Sequence, residues 1–158
     1  MNIFSEENRL ILQKMFDKKV DFMLVGGHAV IYHGYNRLTG DMDIWLKPDN
    51  DNKKLLLEAL TEIGFDDRGI AIINSWDFTK PQIFHIGKVP DKTEFMTYIS
   101  GVEYDIAKPN AVLAILDGVS MHIIHPNNLI ENKKASGRLK DLADVEYLQK
   151  IFTLKNKQ

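Results

Sequence analysis

The sequence predicts an α+β domain, on three observations. Apolar residues recur at helical spacing near both ends of the chain, short β-branched and aromatic runs separated by turn-formers fill the middle, and Asp117-Gly118 stands between two apolar runs as a hairpin turn. At 158 residues, with 44% hydrophobic and 27% charged residues, the chain has the composition of an ordinary globule. Its length predicts a single domain, 1-158, with a core of its own. The formal net charge of −2 implies no broad basic surface, so a nucleic acid would have to be held locally. Cysteine is absent, which excludes disulfides, thiol catalysis and sulfur-ligated metals. With no leader pattern and no long apolar run, neither secretion nor membrane insertion is expected, and the expected compartment is cytoplasmic.

In chain order, Ser5 is a candidate N-cap for a helix over 5–17, with Glu6 and Glu7 at its positive end and Leu10, Leu12, Met15 and Phe16 on an apolar face. Phe22 to Val25 reads as a buried strand, followed by the turn Gly26-Gly27 and a short helix ending at Gly34. An approach segment with Arg37 and Thr39 leads to a second strand carrying Asp41 and Asp43. A helix spans Asn50 to Ile63, and Asp49 and Asp51 at its start read as caps. Ile70 to Ile73, Gln82 to Ile86 and Thr93 to Tyr98 read as three further strands, and Val112 to Leu116 with Val119 to Ile124 as the hairpin. The last third is helical, Asn127 to Ser136 and Leu139 to Phe152, broken at Gly137, and the tail from Lys155 to Gln158 is expected to fray.

The chemistry concentrates between Phe22 and Leu46. Alternate residues of a strand share a face, so Asp41 and Asp43 stand side by side while Met42 and Ile44 face the core. At ~6 Å and an effective dielectric of ~20 two such carboxylates repel by roughly 3 kcal/mol unless a cation or a shared proton offsets it. Oxygen-only ligands favour Mg²⁺ or Mn²⁺. Paired glycines at a helix start allow close backbone approach to a phosphate, which the free N–H groups favour. Together these features describe a site for a nucleoside triphosphate. Singly each is weak: among fourteen aspartates chance yields about one Asp-x-Asp.

Gly26-Gly27, thirteen residues and Asp41-x-Asp43 resemble the signature of the polymerase-beta-type nucleotidyltransferases. The longer patterns GGHAVIYHG..R.TGDMDIWL and GRLKDLADVEYL (Gly137 to Leu148) are similar to small stand-alone bacterial and archaeal members of that superfamily. The resemblance implies a mixed sheet with helices packed on it and a helical C-terminal segment. It also implies glycines that hold the triphosphate, and Asp41 and Asp43 as ligands of Mg²⁺ or Mn²⁺. A third carboxylate is implied on a later strand. That residue is Glu94, where the branch has Asp; its other reading is an exposed strand-face glutamate, and Glu103 and Asp105 stand in reserve. Arg37 and Thr39 are expected phosphate contacts. Lys133 and Arg138 either reach the phosphates or belong, with Lys134 and Lys140, to a solvated charged face; Asp141 and Asp144 orient those cations or cap the helix. His28 reads either as a triphosphate contact or as a helix-start residue. His33, His85, His122 and His125 read as structural, and without HExxH spacing a zinc hydrolase is not supported.

Two functions remain open at this point. One is an enzyme that moves a nucleotidyl group from a nucleoside triphosphate, ATP among the candidates, to RNA, protein or a small molecule. The other is a non-catalytic nucleotide-binding regulator or toxin-antitoxin component, with a cognate partner protein.

Overall fold

The computed structural model describes residues 3–156. Ser5 accepts from the Asn8 N–H and opens helix α1, Glu6–Asp17, whose buried face carries Ile11, Leu12 and Met15. Strand β1, Phe22–Val25, is buried along its whole length and runs directly into helix α2, Gly26–Tyr32. Strand β2 is Met42–Leu46, so Asp41 lies just before it rather than within it. Asp49 caps helix α3, Asn50–Glu62, by accepting from the Asn52 N–H, as its position after Pro48 predicted.

The run Ile70 to Ile73 forms no strand. It belongs to helix α4, Asp67–Asn74. Asp66 caps its first turn through the Arg68 N–H, and within the run only Ile73 is buried while Ile72 stays half exposed, a helical rather than alternating pattern. β-Branched composition suggested a strand, but capping and packing on α3 decided otherwise. Buried Lys53 of α3 ties the two helices by donating to the carbonyls of Asn74 (2.9 Å) and Trp76 (2.8 Å) at the end of α4.

Strands β3, Ile83–Ile86, and β4, Thr93–Met96, follow, then helix α5, Tyr104–Ala107. Strands β5, Val112–Leu116, and β6, Val119–Ile123, form the expected hairpin, with Asp117 (φ 50°) and Gly118 (φ 82°) both in the left-handed region that a two-residue turn requires. Helix α6, Pro126–Ser136, ends at Gly137 (φ 70°), and helix α7, Leu139–Asn156, completes the described chain. The tail expected to fray is therefore helical to Asn156, and its last two residues lie outside the described ones.

The six strands form one mixed sheet in the order β3-β4-β2-β1-β6-β5, with β1/β6 and β2/β4 parallel and the other pairs antiparallel. Side-chain parity gives the sheet two chemically different faces. One carries Phe22, Leu24, Met42, Ile44, Phe95 and Ile123, all buried, and packs on α1, where the Thr93 hydroxyl donates to Asn8 (2.9 Å). The other carries Asp43, Trp45, Glu94 and Met96 and is covered by α5 and α6. Among the described residues no helix is long and apolar enough to cross a membrane.

Candidate active site

The parallel pairing of β2 with β4 sets Asp43 directly beside Glu94 in register. Adjacent residues of paired strands project to the same face, so the two carboxyl groups stand together on it. Burial, the Glu94 carboxyl and, more weakly, Asp41 push Asp43 up to about 7, while Lys133 pulls the other way. The structure thus brings Glu94 to Asp43. It leaves Glu103 and Asp105 in a neighbouring cavity.

Asp41 stands apart from that pair. Its carboxylate meets the Lys92 ammonium at 3.5 Å. Among the described residues no three histidine or acidic side chains are grouped as a metal site. The donor chemistry nevertheless fits a hard cation: Asp43 and Glu94 offer only oxygen, and the repulsion that raises the Asp43 carboxyl is what a cation there would relieve. Mg²⁺ is commonly held by one or two carboxylates with substrate phosphates. Asp43, Glu94 and, once released from Lys92, Asp41 are the residues that would hold it.

The glycine pair serves the site in two ways. Gly26 has φ +66°, and a Cβ built on it would stand 2.1 Å from an Asp43 carboxylate oxygen, so only glycine lets Asp43 lie on the backbone at the start of α2. That helix start has no side-chain cap, and its first-turn N–H groups carry the partial positive charge of a helix end. Gly27 makes a different contact: a Cβ there would meet the Thr39 hydroxyl oxygen at 2.0 Å and an Arg37 guanidinium nitrogen at 3.4 Å. Its missing side chain makes room for Thr39, so a bulky substitution strains the fold as well as any phosphate contact.

His28 is buried and stacks on Phe4, with ring centroids 5.3 Å apart. Burial pushes its imidazole below the ordinary histidine value, with Arg37 acting in the same direction and a hydrogen bond to the Asp41 backbone opposing them. It occupies the helix-start position with its Nδ1 buried and unpartnered among the described residues, and it is not among the residues that line the cleft.

The cationic cluster is an ordered network. Buried Asp144 takes a two-pronged bond from Arg37 (2.9 Å to each oxygen) and an ion pair from Lys133 (2.9 Å). Lys133, itself buried, also reaches Asp141 (3.2 Å), and Arg138 reaches Asp141 at 2.7 Å. Burial alone would raise the Asp141 carboxyl, but bonds from Arg138 and Ser136 and the charge of Lys133 hold it down at about 2. Lys133 and Arg138 both line the cleft, Lys133 buried and Arg138 largely in solvent. Arg138 is held at one end only and its side chain is 76% exposed, which leaves its remaining N–H groups for a ligand.

Gly26, Asp43, Glu94, Lys133, Arg138 and Asp141 line a cleft of about 290 Å³. The sequence reading missed Tyr98, Ser100, Asn132 and Ser136, which also line it. Strand parity with Glu94 was the signal available for Tyr98; the other three come from loop and helix positions that adjoin the cleft only after folding.

No family model matches the chain, and no curated protein matches it in sequence. The six-stranded mixed sheet with its helical C-terminal segment is a nucleotidyltransferase-like α+β fold. The likeness that shows this is to a solved structure of a Thermotoga maritima protein provisionally described as a nucleotidyltransferase, with a TM-score of 0.53 and 14% identity over 99% of this chain and 98% of that one.

Proposed function

We propose that this chain is a metal-dependent nucleotidyltransferase, moving a nucleotidyl group from a nucleoside triphosphate to an acceptor hydroxyl. The observation that carries the reading is the Asp43–Glu94 pair, held in register on adjacent strands, pressed onto the Gly26 backbone and facing the Lys133 and Arg138 cations across one cleft.

In this reading the triphosphate lies between the uncapped start of α2 and Arg138, its charge met by backbone N–H groups, a guanidinium and the Lys133 ammonium. Mg²⁺, when bound, would supply charge neutralisation and a lowered pKa at the attacking hydroxyl. The acceptor oxygen forms a bond to the α-phosphorus as the bond from that phosphorus to the α–β bridging oxygen breaks, and pyrophosphate leaves with the bonding electron pair. The acceptor proton passes to the ionised carboxylate of the Asp43–Glu94 pair. Asp144 acts one step away, by fixing Arg37 and Lys133.

The test is incubation of the purified protein with labelled ATP, CTP, GTP and UTP, Mg²⁺ and cellular RNA, protein and small-molecule fractions. Transfer of label or release of pyrophosphate by the wild type, and its loss in Asp43→Asn, supports the reading. Tight nucleotide binding with neither reaction would instead favour a regulatory or toxin-antitoxin role in the cytoplasm.

A further inference from the structure

The pairing of β2 with β4 that joins Asp43 to Glu94 also organises the residues just before the two strands. Met42 stands beside Thr93, and the Met42 N–H donates to the Lys92 carbonyl at 3.1 Å, which brings Asp41 and Lys92 together. Their side chains form an ion pair at 3.5 Å and are mostly covered, with 32% of Asp41 and 27% of Lys92 exposed. On the other side of Lys92, the Asp91 N–H closes the preceding turn on the Lys88 carbonyl (2.8 Å). Backbone hydrogen bonds thus fix the chain around Lys92, and its flexible four-carbon side chain is the part that can swing away.

The other cations of the site have carboxylates of their own. Lys133 is divided between Asp141 and Asp144, and Arg138 holds Asp141. Asp41 is met by Lys92. The Asp41 charge is nevertheless felt at the Asp43–Glu94 pair, since it helps to raise the Asp43 carboxyl. A divalent ion that relieves the pair therefore competes with Lys92 for the third carboxylate. The ion carries twice the charge and approaches carboxylate oxygens to ~2.1 Å. The lysine is weaker but tethered beside Asp41, at an effective concentration on the order of millimolar.

We propose that Lys92 is a resident cation that competes with the divalent ion for Asp41, and that its side chain must swing off before Asp41 joins Asp43 and Glu94 as a ligand. The inference rests on the metal-dependent reading of this site. In the metal-free protein Lys92 keeps Asp41 from adding its full repulsion to the carboxyl pair. The strength of the contact then sets the metal concentration at which the site fills. Lys92 is a positioning residue in this scheme, acting through Asp41 rather than on the reacting atoms.

Mn²⁺ is the probe, its free concentration read by paramagnetic resonance at fixed pH and ionic strength with no nucleotide present. An ion pair this open to solvent is worth up to about fivefold in an equilibrium, and removing a cation also removes its repulsion of the metal. Lys92→Met should therefore bind Mn²⁺ about three- to tenfold more tightly than the wild type. Lys92→Arg restores the cation and should bind within about twofold of the wild type. Lys88→Met removes the same charge from the adjoining turn, and among the described residues Lys88 makes no ion pair with Asp41, so it too should stay within about twofold. The urea midpoint is a second readout: Lys92→Met should be the less stable protein without metal, and saturating Mn²⁺ should close the gap. Unchanged or weaker Mn²⁺ binding in Lys92→Met, or equal tightening in Lys88→Met, would overturn the proposal and leave the metal-dependent reading standing. Mn²⁺ binding by neither the wild type nor any variant would remove both.

Discussion

Replacing Asp43 with asparagine separates the chemistry of the site from its stability. The Asp43 carboxyl, ordinarily near 3.8, is pushed up to about 7 by burial, by Glu94 and by Asp41. A carboxyl whose folded pKa is raised holds its proton more tightly in the folded chain than in the unfolded one. Wild-type stability from this group is therefore fully present below about pH 4, declines as the pH rises, and is lost once the pH passes about 7. The interval from 3.8 to about 7, at about 1.4 kcal/mol per pH unit, amounts to roughly 4 kcal/mol. Asparagine is neutral throughout and can still donate to Glu94. We expect the Asp43→Asn protein, free of metal at pH 8, to be about 2–4 kcal/mol more stable than wild type, a rise of about 1–2 M in urea midpoint for a slope near 2 kcal/mol/M. At pH 4 the two midpoints should nearly coincide. Magnesium should raise the wild-type midpoint at pH 8 and leave the variant unmoved. Urea titrations at the two pH values, with and without magnesium, measure all of this. A variant less stable than wild type at pH 8, or a gap that does not change with pH, would refute the paired-carboxylate argument.

Glu94→Gln should lower turnover more than about tenfold with little change in triphosphate affinity, read as a fall in kcat at constant Kd, whereas Glu94→Asp should retain activity or raise it. Gly27→Ala should destabilise the protein by about 1–3 kcal/mol, since its Cβ falls on Thr39; adding Thr39→Gly should recover much of the loss in a denaturation series, and no recovery would mean that another contact excludes the side chain. Asp144→Ala leaves Arg37 and Lys133 short of their shared buried partner and should cost about 3–5 kcal/mol, measured as a drop in urea midpoint; a loss under 1 kcal/mol would show that the network does not fasten α7 to the site.

The elements that repeat a local rule were legible in the sequence. Ser5 and Asp49 capped the helices they precede, Asp117-Gly118 turned the hairpin, and Gly137 ended α6 in the left-handed conformation that glycine allows. In each case the deciding interaction spans only a few residues. Asp43 could be singled out by strand parity, and Glu94 by parity together with a family likeness. Only the tertiary structure decided what meets what. The β2/β4 register set Glu94 rather than Glu103 or Asp105 beside Asp43, and the loop before β2 turned Asp41 toward Lys92. Packing on α3 made a helix of a run whose composition suggested a strand, and the contact of Thr39 with the Gly27 backbone gave that glycine a packing role the sequence did not show. The buried Arg37–Asp144–Lys133–Asp141 network, with exposed Arg138 at its outer end, joins residues up to 107 positions apart. No periodicity encodes a contact of that span. Its pairing follows from the packing of α7 on α6, where a cation left buried without a carboxylate would cost several kcal/mol.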